Sequence, residues 1–68
     1  MVKTGKNIAR LRKMNGLTIR DIQDAMGFNT PQAIYKWMRG EAVPSVDNLL
    51  VLSELFDTAI DEILVKTK

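Results

Sequence analysis

The chain has no cysteine and no histidine. Those two absences remove disulfide bridges, thiolate and imidazole metal ligands, thiol nucleophiles and the usual general base, so an enzyme would have little to work with. No catalytic residue, metal or cofactor is expected. Ser45 has no base to activate it as a nucleophile and reads as a helix cap. Paired carboxylates such as Asp21 with Asp24 and Asp61 with Glu62 need no pocket, since carboxylates are favoured at helix starts. Long apolar runs are also missing: nothing approaches the roughly 18 consecutive residues of a membrane span. The first residues lack the apolar core of a secretory leader, because Lys3, Lys6, Arg10, Arg12 and Lys13 are spread through them. No membrane association and a cytoplasmic location are therefore expected.

What is present is a short, soluble-type composition. The 68 residues are 46% apolar, which suits one folded domain over residues 1–68. A chain of this size buries only about 60% of the surface exposed by its unfolded form, so its core must be small and locally connected. The net charge of +2 conceals a division. Residues 1–40 carry eight basic against two acidic side chains, a balance of +6, and residues 41–68 carry two basic against six acidic, a balance of −4. Such polarity attracts polyanions to one side of a domain, although solvated helix faces alone can produce it.

Glycines at positions 16, 27 and 40 each follow a segment of helical periodicity and read as helix stops. A first helix is expected from about Thr4 or Gly5 to Met14, with Ile8, Leu11 and Met14 inward and Lys6, Arg10 and Lys13 in water. Thr18 caps a second helix, with Asp21 three residues on in a capping-box arrangement. Its apolar stripe is Ile19, Ile22, Ala25 and Met26, and Arg20, Asp21 and Asp24 face outward. Phe28 reads as a core plug at the bend that follows. Ser45 and Asp47 open a broadly apolar fourth helix through about Phe56, carrying Val46, Leu49, Leu50, Leu52, Leu55 and Phe56. Ile60, Ile63, Leu64 and Val65 mark a short fifth helix before a polar tail at 66–68. Met14, Met26 and Met38 read as core filler. The expected fold class is all-α, five compact helices with no repeat and no second domain.

The rest of the chain reads as support for residues 30–40, Thr-Pro-Gln-Ala-Ile-Tyr-Lys-Trp-Met-Arg-Gly. Thr30 is a good N-cap, Pro31 suits the first helical position, and Gly40 can take the left-handed stop, giving a helix over about 31–39. At about 100° per residue, Gln32, Tyr35, Lys36 and Arg39 share one arc while Ala33, Ile34, Trp37 and Met38 take the other. The apolar arc makes Ile34 and Trp37, with Phe28, the anchors to the core. The polar arc carries an amide, a phenol, an ammonium and a guanidinium without a carboxylate, a set suited to base edges and phosphates.

Leu17-Thr18, Gly27, Ala33-Ile34-Tyr35-Lys36-Trp37, Arg39-Gly40, Pro44-Ser45 and Ile60-Asp61-Glu62-Ile63-Leu64 together resemble the lambda-repressor-like, Cro/CI-type (XRE) helix-turn-helix family over roughly residues 6–64. That resemblance implies a helix-turn-helix over about 18–39 whose third helix lies in the DNA major groove. It implies base contacts by Gln32, Tyr35 and Lys36 and backbone contacts by Arg39 and Thr30. The family's usual phosphate-binding Gln is replaced by Ile19, so that anchor is absent or moves to Arg20 or Gln23. Met38 stands where the family often has a Glu that pairs with the residue equivalent to Arg12, which leaves Arg12 in need of another partner. The turn Phe28-Asn29-Thr30-Pro31 is one residue longer than the family's commonest. The implied partner is double-stranded DNA, bound by a bacterial or phage-type transcriptional regulator as a weak homodimer reinforced on DNA, with Ile60 to Val65 and part of the fourth helix as the expected interface. The rival reading is a protein-interaction module, such as an antitoxin-like or adaptor subunit, that uses the same helices.

Overall fold

A computed structural model describes residues 4–64. Lys3, Val65 and the tail at 66–68 lie outside the described residues. Five helices occur in the order α1 (Thr4–Met14), α2 (Ile19–Met26), α3 (Gln32–Arg39), α4 (Val46–Leu55) and α5 (Ile60–Ile63), and the described residues contain no strand. None of these helices is long and apolar enough to cross a membrane.

One cluster of buried side chains joins all five: Ile8 and Leu11 from α1, Ile22 from α2, Ile34 and Trp37 from α3, Leu49, Leu52 and Phe56 from the α4 region, and Ile63 from α5. Helix α1 packs on α3 and α5, α2 on α3 and α4, and α4 on α5. At Gly5 the approach of α1 to α3 is a backbone contact. A Cβ there would lie 2.3 Å from the Trp37 carbonyl oxygen and 2.8 Å from that of Met38, so the crossing has no room for any side chain.

The helix ends follow from local chemistry. Thr18 caps α2 with both halves of the capping box present, its hydroxyl accepting from the Asp21 N–H and its own N–H donating to the Asp21 carboxylate. The backbone N–H of Thr18, and then its hydroxyl, hold the Asp21 carboxyl below its ordinary value. Ser45 caps α4 through the Asn48 N–H. At the other ends one device recurs: a left-handed residue whose N–H and whose successor's N–H return to the last turn. Gly16, Gly27 and Gly40 do this, and so does Asp57 at φ 50°, where Asp57 N–H reaches Glu54 O and Thr58 N–H reaches Ser53 O.

Several expectations need correcting. Thr30 is not the cap of α3: Pro31 occupies the cap position with no side-chain hydrogen bond, and its carbonyl accepts from the Tyr35 N–H. The helix therefore starts one residue later than expected. Met14 is 70% exposed, because the last turn of α1 overhangs a shallow groove, lined also by Leu11 and Phe56, instead of the core. Ala25 is exposed; it sits about 90° from the centre of the stripe formed by Ile19, Ile22 and Met26. Val46 and Leu50 are also exposed, at 70% and 51%, so α4 is covered on one side and open on the other. Ile63 is fully buried, with Ile60 and Leu64 packed against the core beside it, which leaves α5 little apolar surface to offer a partner.

Arg12 finds its partner in the α1–α2 turn, donating from Nη1 to the Leu17 carbonyl at 2.9 Å. Its Nε is buried without a partner. Asn7 donates from Nδ2 to the Ile63 carbonyl at 3.0 Å, a buried bond between α1 and α5.

Candidate nucleic-acid interface

Helix α3 is held from three directions. Ile34 and Trp37, at 0% and 4% exposure, pin it inward. From the turn before it the Phe28 ring meets the Trp37 indole edge-on, with centroids 5.9 Å apart and planes at 62°, a favoured aromatic geometry. Near its end the carbonyls of Trp37 and Met38 lie against Gly5 of α1. Rigid mounting of this kind leaves the opposite face free. Gln32, Tyr35, Lys36 and Arg39 are all exposed there.

The charge on that face is less open than the helical arc alone indicates. Glu41, one residue past the Gly40 stop, forms an ion pair with Arg39. The bond raises the already basic Arg39 guanidinium further. It also holds the Glu41 carboxyl below its ordinary value, chiefly through that hydrogen bond, which outweighs the opposing loss of hydration and is helped by the Arg39 and Lys36 charges. Glu41 is therefore ionised at neutral pH, and Arg39 must exchange it for any phosphate it is to bind. The spacing of two across the glycine was the available sequence signal.

Around the start of α3 the surface is concave. Phe28, Asn29, Thr30, Gln32, Ala33 and Lys36 line an open groove of about 320 Å³. The groove gathers Thr30, Gln32 and Lys36 and adds Asn29, which the pattern of the sequence alone did not single out. Its signal is the extra polar residue in the turn. Tyr35 and Arg39 lie outside this lining. Of the two possible replacements for a phosphate anchor at Ile19, Arg20 is exposed and pairs with Asp24 at 3.3 Å. Gln23 instead braces the turn, donating from Nε2 to the Phe28 carbonyl at 3.2 Å. Ile19 itself packs against the core.

Apart from Glu41, the acidic residues of α5 keep away from α3. Helix α5, with exposed Asp61 and Glu62, touches α1 and α4 and not α3.

Comparisons with known proteins agree with this fold. The pattern that defines the helix-turn-helix family matches residues 8–63. A crystal structure of a transcriptional regulator from Listeria innocua is similar with a TM-score of 0.85 at 25% sequence identity, over 100% of this chain and 63% of that one. The chain thus spans under two thirds of that protein's length. No curated protein matches it in sequence.

Proposed function

The chain belongs to the Cro/CI-type helix-turn-helix family of DNA-binding, non-enzymatic domains, and from that premise we propose that it is a sequence-specific transcriptional regulator that reads the major groove with α3. The carrying observation is the outward face of α3, where Gln32, Tyr35, Lys36 and Arg39 are exposed on a helix whose other face is locked into the core. Gln32 and Lys36, with Tyr35 beside them, meet base edges: an amide suits adenine N6/N7 and an ammonium suits guanine O6/N7. Arg39 and Thr30 hold the phosphates on either side, with Arg20 in support. Gln23 keeps the turn in shape and so acts on the backbone contact indirectly.

A helix of eight residues reaches few base pairs, so specificity calls for a second copy one helical turn, about 34 Å, away. We place the two-fold contact on the open side of α4. Val43, Val46 and Leu50 are exposed at 62%, 70% and 51%, and Val46 and Leu50 are neighbours on the helix surface. Asp47 and Glu54 are exposed on the same helix, about 80–100° round from Val46. Facing their symmetry mates, they oppose pairing, which makes the dimer weak until DNA brings two copies together.

Selection of bound duplexes from a random pool tests the reading. One recurrent motif is expected, and Gln32→Ala and Lys36→Ala should keep the fold yet each lose about 1–3 kcal/mol of discrimination between the motif and scrambled DNA. Retained discrimination in both variants would remove α3 as the reader. Affinity should also fall steeply with salt. A salt-insensitive partner would point to the protein-interaction alternative.

A further inference from the structure

The groove at the start of α3 has a composition more particular than a patch of positive charge. Its floor is apolar: Phe28 and Ala33 are both half-buried and packed against the core, each leaving part of its surface in the groove. Its rim is polar and exposed, with the amides of Asn29 and Gln32, the Thr30 hydroxyl and the Lys36 ammonium. No carboxylate lines it. A phosphate seated on this floor, as distinct from one held at the rim by Thr30, would gain from one cation while losing water against two hydrocarbon surfaces, a poor exchange. The major-groove edge of an A·T pair fits better, because it alone combines a methyl group at one end with an adjoining acceptor and donor at the other.

On the DNA-binding role proposed above, we infer that this groove is a subsite for one A·T pair, with the thymine C5-methyl against Phe28 and Ala33 and the Asn29 and Gln32 amides on the adenine N6/N7 edge. The turn then reads sequence together with α3. Asn29 reaches the groove because the chain between α2 and α3 is long enough to carry a polar residue past Phe28 before Pro31 caps the next helix.

Replacing thymine by deoxyuridine, one position at a time, in the selected duplex removes the methyl group alone. Wild-type protein should lose about three- to fivefold in affinity at one thymine in each half-site, the scale of one methyl group taken out of water. Ala33→Gly, checked for folding by circular dichroism, should show a smaller penalty at that same thymine, because only the Phe28 contact remains. Asn29→Ala lies in an exposed turn, so its fold should be unaffected, and it should relax the preference at that base pair while leaving the other positions unchanged. Three results would overturn the inference. If the wild type binds its motif selectively yet no deoxyuridine substitution matters, the groove takes no methyl group and the DNA-reading role stands without it. If Asn29→Ala weakens every duplex equally and lowers the salt slope by about one, the groove holds a backbone phosphate instead. If no duplex is bound selectively at all, the proposed function fails and the subsite with it.

Discussion

Trp37 carries two constraints at once: its indole fills the core at 4% exposure, and its carbonyl forms the surface on which Gly5 rests. Trp37→Ala should cost about 3–5 kcal/mol, enough to unfold much of a domain this small, and a thermal melt within a few degrees of wild type would show the side chain to be dispensable. A second prediction concerns Glu41. Glu41→Gln releases the Arg39 guanidinium, so affinity for any duplex should rise roughly two- to fivefold with no change in the ratio of motif to scrambled DNA. Binding titrations on both duplexes measure the two quantities. At this scale the helical wheel of α3 was readable in advance, because Ile34 and Trp37 on one arc and Lys36 and Arg39 on the other differ sharply in their cost of burial. Gly5 was not readable. Its role depends on where a distant helix crosses, and no local pattern reports that.

The helices show why starts and stops differ in legibility. Gly16, Gly27 and Gly40 announce left-handed stops by residue type, and Thr18 with Asp21 and Ser45 announce caps. Pro31 misled because it is compatible both with the first helical position and with the cap, and the choice is made by how the turn from Phe28 packs on Trp37. The end of α4 near Phe56 was legible, but the left-handed residue that makes the stop, Asp57 at φ 50°, was not, since no glycine marks it. Asp57 also bears a steric cost that glycine avoids. Asp57→Gly should therefore raise stability by about 1 kcal/mol and Asp57→Ala should lower it, with chemical denaturation midpoints as the check. Equal midpoints would mean that the left-handed turn is not retained in solution.

Over the whole molecule, all-α architecture and charge polarity were legible, whereas the extent of each helix's cover was not. Periodicity marks Val46 and Leu50 as apolar without saying whether another helix reaches them, and five short helices cannot enclose α4 completely. The open face leads to the last prediction. Leu50→Glu should leave a folded monomer, keep binding to a single half-site, and lose at least about tenfold in affinity for a two-half-site duplex. Added salt should act in opposite directions on the wild type, weakening DNA binding through counterion release and strengthening self-association by screening Asp47 and Glu54. Sedimentation with and without duplex reads both responses. A one-to-one complex on the two-half-site duplex at saturating protein would exclude the dimer.

The buried bond from Asn7 to the Ile63 carbonyl gives the smallest helix an unusual dynamic standing. Four residues cannot hold a helical turn in water by themselves. Helix α5 therefore persists only while Ile63 stays in the core and Asn7 stays beside it, so it has no independent mode of fraying. Its opening is tied to opening of the domain. The Leu64 N–H, bonded to the Ile60 carbonyl at 3.0 Å, should exchange with solvent deuterium as slowly as the amides of α1, which makes the last turn of the described chain a reporter of global unfolding.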